Sequence, residues 1–287
     1  MSTGLAATGA SFAGIYFDLY ARGAKRGGAW VEGCQARRRH AGGVQQPIAF
    51  LTCNFAAPTA ELPSLLSHED VLTLFHEFGH GLHYLLTEVD YPSIAGTHGV
   101  EWDAVELPSQ FMENYCWEQT ALELIARHHE TGAPLPDDLF RRLLATRDFH
   151  AGLHLARQLE FALFDFRLHH DYDPARGARA LELLDEVRRE VAVLPMPSWQ
   201  RMPWSFGHIF GGGYDAGYYS YLWAEVLSAD AFERFREAGI FDRDTGRSFR
   251  REVLATGGSR PALSSFVAFR GREPDPAALL RSYGLAA

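Results

Sequence analysis

The histidines at positions 76 and 80 lie four residues apart, with Glu77 directly after the first. They fall in a run whose apolar residues Val71, Leu74, Phe75, Phe78, Leu82 and Leu85 recur at helical spacing. That periodicity predicts an amphipathic helix over 68–87, with Ser67 and Asp70 as its N-terminal cap. On a helix, residues four apart share a face, so both imidazoles can bind one ion. Glu77 is rotated by about 100° from His76, which sets its carboxylate beside the ion, as a base rather than a ligand. Zinc suits such a pair and lowers the pKa of a bound water to roughly 7. A buried helix that happens to carry two histidines is the competing reading. His83, one turn on, is either a third ligand or a structural histidine, and the next segment favours the second. Gly79 leaves room for another backbone or a substrate.

Asp103, Glu106, Gln110 and Glu113 follow at spacings of three, four and three, on one face of a segment otherwise rich in Val105, Leu107, Phe111, Met112 and Trp117. Carboxylates on an apolar helix are costly to bury unless paired or bound to a cation. A dication held by the preceding helix satisfies Glu106, which makes it the candidate third ligand. Asp103 or Glu113 then accepts the second ring N–H of a ligand histidine. A solvated helix face is the alternative. Pro108 predicts a kink or a late start. Further on, Gly211, Gly212 and Gly213 precede Tyr214, Tyr218 and Tyr221, which share a helical face at spacings of four and three. A phenol can donate to a developing oxyanion, and His208 just upstream can do the same. A tyrosine-rich core helix is the plainer reading of that stretch.

Around these segments, residues 1–60 are β-rich, with runs at 15–20 and 47–55 among Gly-containing turns. Past Ser67 the pattern is helical, with helices expected at 68–87, 103–130, 136–147, 150–170, 175–192, 214–238, 246–256 and 260–269. No internal repeat divides the 287 residues, and they are read as one unit. It comprises the β-rich segment 1–60, the metal-binding helices of 67–118 and a helical remainder, 119–287, that carries the Gly/Tyr segment 206–223. Hydrophobic residues make up 47% and charged residues 22%, which argues against disorder. A net charge of -9 gives no electrostatic reason to expect nucleic acid. No run reaches the length of a membrane span, and no secretory signal is read at the start. Three cysteines, Cys34, Cys53 and Cys116, make no disulfide framework and suit a cytoplasmic setting. Lys25 stands alone against 26 arginines, a bias that points to a GC-rich bacterial genome.

Five segments in order resemble the thimet-type oligopeptidase family: 74–83 (LFHEFGHGLH), 96–98 (GTH), 102–117 (WDAVELPSQFMENYCW), 206–223 (FGHIFGGGYDAGYYSYLW) and 269–274 (FRGREP). Segments 25–30 (KRGGAW) and 51–55 (LTCNF) are similar as well. The resemblance implies a mainly α, zincin-like catalytic domain with a small sheet near its N-terminus. It implies one zinc ion per chain on His76, His80 and Glu106, with Glu77 as general base and attack of zinc-bound water on short unstructured peptides. Tyr221, Tyr214 and His208 are then expected to face the substrate. The strand at 47–55 is expected to be an edge along which an extended peptide docks by backbone hydrogen bonds. The family's N-terminal helical half has no counterpart here. The channel is therefore expected to be open, with an apolar face suited to self-association or to a chain supplying the missing wall. Two other readings fit the same motifs: a silent, partner-dependent zinc-binding module, and a dipeptide-releasing carboxypeptidase.

Overall fold

The computed structural model describes residues 2–5 and 11–285. The N-terminal part builds a four-stranded sheet from β1 (Ser2–Leu5), β2 (Ser11–Tyr20), β3 (Trp30–Gln35) and a later strand, with a small hairpin of β4 (Arg38–His40) and β5 (Gly43–Gln45) beside it. The later strand is β6 (Ile48–Phe55), and the order is β1-β2-β6-β3. Strand β6 runs parallel to β2, with Phe17 opposite Leu51, and antiparallel to β3, with Val31 opposite Leu51. The expectation that 47–55 forms an edge is therefore corrected: it is interior, hydrogen-bonded on both sides, and β3 is the edge on that side of the sheet. The alternation of β6 explains its place. Ala49, Leu51, Cys53 and Phe55 are all buried and point to one face, where they meet Tyr84 and Leu85.

That face is covered by α1 (His68–Leu85), which begins where the sequence says it should. Ser67 accepts from the Asp70 backbone N–H, and the Asp70 carboxylate accepts from the Ser67 N–H at 2.9 Å, closing a capping box. The expected helix 103–130 is instead four pieces: α2 (Trp102–Val105), α3 (Leu107–Glu113), a 3₁₀ turn (Asn114–Trp117) and α4 (Gln119–Ile125). Pro108, in the first turn of α3, cannot continue a helical ladder from α2, so the chain restarts at Leu107. Glu118, at φ -99°, ψ 124°, makes the second break.

Helices α5 (Asp137–Arg147) and α6 (Ala151–His170) match their expected spans within a residue. Helix α7 (Ala180–Val191) starts late, after Gly177 at φ 68°. Two short helices that the periodicity did not predict, α8 (Met202–Ser205) and α9 (Gly207–Phe210), lead to the glycine run. The expected helix from 214 begins only at Ser220 (α10, Ser220–Ala238), because Gly213 and Ala216 take left-handed backbone and fold 211–219 into turns. The chain ends with α11 (Arg243–Phe249), a π turn (Arg250–Leu254), α12 (Ala262–Arg270) and α13 (Ala277–Ser282), the last not predicted.

The main apolar cluster joins α3 and α10 to α11 and α12, with Phe111 stacked on Phe249 at 4.1 Å between centroids. Buried Asp230 on α10 binds Arg270 at 3.0 Å and Arg272 at 2.6 Å, which gives the 269–274 segment a structural task. A separate cluster unites α6, α7, α8 and α9 around Phe164, Leu184, Met202 and Ile209, and Tyr218 is packed against it.

Candidate metal centre

Helix α1 lies against α3 with no side chain between them at one point. A Cβ on Gly79 would stand 2.3 Å from the Pro108 carbonyl oxygen, so only glycine permits this approach. The closeness brings Glu106, at the junction of α2 and α3, over the face of α1 that carries the histidines. Glu106 Oε2 lies 3.0 Å from His80 Nε2 and 3.3 Å from His76 Nε2. The three ligand atoms all fall within 4.8 Å of one another. His76 Nδ1 sits 2.6 Å from Glu113 Oε1. Of the two acceptors the spacing offered, the structure selects Glu113, while Asp103 accepts from the Tyr219 hydroxyl. His83 is buried outside the trio, and burial, then the charge of His80, drives its pKa down to about 3, so it is neutral.

The donor set fits a metal ion. With its Nδ1 proton given to Glu113, a neutral His76 presents a lone pair at Nε2, and Glu106 Oε2 presents another 3.3 Å away. Acceptors this close need a cation between them. The electrostatics show the same demand for positive charge, met by a proton when no metal is bound: burial opposes a charged His76, yet hydrogen bonds to Glu106 and Glu113 outweigh it and raise the pKa to about 10. Burial would raise the pKa of Glu106, and His76 and His80 instead hold it well below the ordinary range. Glu106 is only 4% exposed, and two further donors fix it. Ser109 Oγ donates to Oε2 at 2.8 Å and the Tyr214 hydroxyl to Oε1 at 2.8 Å. Glu77 is 6% exposed, and its Oε2 has no partner among the described residues. Burial raises its pKa, with the two histidines pulling the other way, so it is a stronger base than an ordinary carboxylate.

A cleft of about 590 Å³ opens onto this group, bounded by Trp30, Val31 and Gly33 of β3 and by Tyr214 and Tyr221. The Tyr214 and Tyr221 rings stack at 4.7 Å, and His208 lies 6.0 Å from Tyr221. Burial pushes the Tyr221 phenol up to about 12, leaving it protonated and able to donate. Tyr218 points elsewhere, to Gln158 at 3.1 Å. Asp165 of α6 anchors the whole turn: its carboxylate accepts from the backbone N–H of Ala216 at 3.0 Å and of Tyr218 at 2.9 Å.

Sequence reasoning thus named the trio, Glu77 and the tyrosine segment, and it missed Ser109, Asp165 and β3. Ser109 stands three residues after Glu106, a spacing that could have exposed it. Asp165 left no local signal.

The comparisons agree with the resemblance read from the motifs. The 287-residue chain is 56% identical to oligopeptidase A of Escherichia coli over 272 residues, covering 94% of this chain and 40% of that protein. It is 47% identical to the organellar oligopeptidase A of Arabidopsis thaliana (98% and 36% covered) and 35% identical to the dipeptidyl carboxypeptidase of Escherichia coli (96% and 40%). The chain therefore spans about 40% of the length of the curated relatives it matches. Among solved structures, a PZ peptidase A bound to an inhibitor superposes with a TM-score of 0.61 at 16% identity, covering 93% of this chain and 42% of that one, which shows a shared fold. A sequence model of peptidase family M3 matches residues 5–285, and the chain belongs to that family.

Proposed function

We propose that this chain is the catalytic part of a zinc peptidase that hydrolyses short unstructured peptides. The observation that carries the reading is the convergence of His76, His80 and Glu106 with the partnerless carboxylate of Glu77 beside them. Two histidines and one carboxylate are a donor set of catalytic zinc sites, which leave a further position open. One zinc per chain would be held by those three residues. When bound, zinc supplies a Lewis acid that polarises a carbonyl and makes water acidic enough to ionise at neutral pH.

The protein's own residues do the rest. Glu113 holds His76 in the tautomer whose Nε2 lone pair faces the metal position. Glu77 takes the proton of the attacking water and passes it to the leaving amine. Tyr214, whose hydroxyl is given to Glu106, orients the third ligand. Tyr221 then becomes the candidate donor to the oxyanion, with His208 near it. The edge strand β3, rather than β6, is the surface on which an extended peptide adds a strand. The free thiols favour a reducing, cytoplasmic setting, and no described helix is long and apolar enough to cross a membrane.

The test is metal analysis joined to a peptide assay. Purified protein should carry one equivalent of zinc, cleave a quenched fluorescent peptide, lose activity to a chelator and regain it with zinc. Zinc-loaded protein that cleaves no peptide would leave a binding module as the better reading.

A further inference from the structure

Glu106, at the head of α3, and Gln110, one turn on, both reach the tyrosine segment. Glu106 accepts from the Tyr214 hydroxyl at 2.8 Å, and Gln110 Nε2 donates to the backbone carbonyl oxygen of Tyr221 at 3.0 Å. Residues four apart share a helix face, so the two bonds leave the same side of α3 and meet the two residues whose rings stack at 4.7 Å. The start of α10 lacks a side-chain cap, and the turn before it carries left-handed backbone at Gly213 and Ala216. Asp165 holds that turn at Ala216 and Tyr218, short of Tyr221. Asn114, just past α3, also binds α10, but at Ser228 Oγ (3.1 Å), two turns beyond Tyr221. The bond from Gln110 is therefore the side-chain tie at the residue that matters. Gln110 Oε1, the other end of the amide, is buried and has no partner among the described residues. Burying an unpaired amide oxygen is unfavourable, and methionine would fill the place without it. What the amide gains over methionine is the one bond its nitrogen makes.

We propose that Gln110 is a positioning residue for peptide hydrolysis: by holding the Tyr221 carbonyl to α3, it fixes the Tyr221 phenol relative to the metal ligands. The proposal rests on the peptidase reading, with Tyr221 as oxyanion donor, and adds how that donor is held. The physical reason is the narrow tolerance of such a donor. It must stand about 2.7–3.1 Å from the developing oxyanion, and a displacement of about 1 Å costs on the order of a hundredfold in rate. Glu106 and Gln110 stand on one turn of helix, so the third ligand and the donor share a single frame. Without the Gln110 bond the first turn of α10 frays, and the phenol spends time where it cannot reach the oxyanion. Contacts made to substrate elsewhere in the cleft are untouched, so the loss falls on kcat rather than on KM.

The test is a double-mutant cycle on the zinc-loaded chain, with Gln110→Met and Tyr221→Phe made singly and together. Turnover is read on a quenched fluorescent peptide. Binding is read on a phosphinic peptide, whose tetrahedral anion stands in for the oxyanion. Gln110→Met should lower both kcat and phosphinic-peptide affinity by about tenfold to a hundredfold, with KM and zinc content within about twofold of wild type. In the Tyr221→Phe background the same substitution should change either quantity by less than about twofold, because the donor it positions is gone. Ser228→Ala cuts the other tie to α10 and controls for packing alone; it should leave kcat within about twofold. Gln110→Glu keeps the shape and loses the donor at neutral pH, and it stands in if the methionine variant does not fold. A kcat drop below about threefold for Gln110→Met, an equal drop in both backgrounds, or a comparable drop in Ser228→Ala overturns the proposal. A silent Tyr221→Phe overturns it too and leaves the peptidase standing. Wild-type protein that holds zinc and cuts no peptide takes both readings down.

Discussion

Gly79→Ala adds one methyl group where α1 touches α3. Its Cβ would stand 2.3 Å from the Pro108 carbonyl oxygen and 2.5 Å from the Ser109 Cα. Comfortable contacts need about 3.5 Å, and both neighbours are backbone, so the helices must part by about 1 Å. Glu106 sits at the start of α3, with its Oε2 at 3.0 and 3.3 Å from the histidines of α1. Metal ligands tolerate errors of only about 0.2 Å, so the same 1 Å takes Glu106 out of reach. Fold stability changes less. Alanine regains about 1 kcal/mol of helix propensity, set against about 1–3 kcal/mol of overpacking. The expected result is a folded protein with a Tm a few degrees lower and both zinc affinity and kcat/KM down by at least about tenfold. Gly81→Ala is the internal control, because its Cβ would meet Ile15 at an ordinary 3.5 Å. Chelator-competition titration and a quenched-peptide assay decide the matter. If Gly79→Ala binds zinc within twofold of Gly81→Ala, the helix contact does not set the third ligand and the reasoning fails.

Glu77→Gln should keep its zinc and lose nearly all hydrolysis, since an amide cannot accept the proton of water; near wild-type turnover would remove Glu77 from its role. Tyr221→Phe should lower kcat by about a hundredfold to a thousandfold, the cost of about 2.7–4 kcal/mol for one oxyanion donor, with KM little changed. A drop below about threefold in steady-state kinetics would pass the role to His208 or Tyr214. Glu225 predicts a pH effect on stability. Burial lifts its folded pKa to about 7, above the ordinary 4.5, so the folded state holds its proton longer than the unfolded one. Stability therefore falls as pH rises from about 4.5 to 7, by at most roughly 3 kcal/mol at about 1.36 kcal/mol per unit. Glu225→Gln should raise Tm relative to wild type at pH 8 and not at pH 4; a difference independent of pH would refute it.

What could be read in advance was whatever depends on neighbours along the chain. The α1 helix, its capping box and the shared face of His76 and His80 follow from spacing alone, and the carboxylate row pointed to Glu106 because a buried charge demands a partner. What escaped depended on contacts distant in sequence. The resemblance suggested an edge at 47–55, and the residues of that run do not say whether β3 lies on its other side, so an interior strand passed for an edge. The periodicity of 103–130 continued through Pro108 and Glu118, although the backbone does not. Asp165 read as an ordinary helix residue until the fold set it under the tyrosine turn.

The cluster around Phe164, Leu184, Met202 and Ile209 has its own apolar interior, and the turn pinned by Asp165 belongs to it through Tyr218. The ligand helices α1 and α3 draw their packing from the two other cores. The turn that carries Tyr214 and the helices that carry His76, His80 and Glu106 therefore draw on different apolar clusters, which can open separately. On warming, the α6–α9 unit can melt first and loosen the turn that carries Tyr214, while His76 and His80 on α1 and Tyr221 on α10 stay with the other cores. Such a protein would pass through an interval in which it is zinc-replete, still largely helical and already inert. Its working temperature would be set by its satellite core, not by the helix that bears His76 and His80.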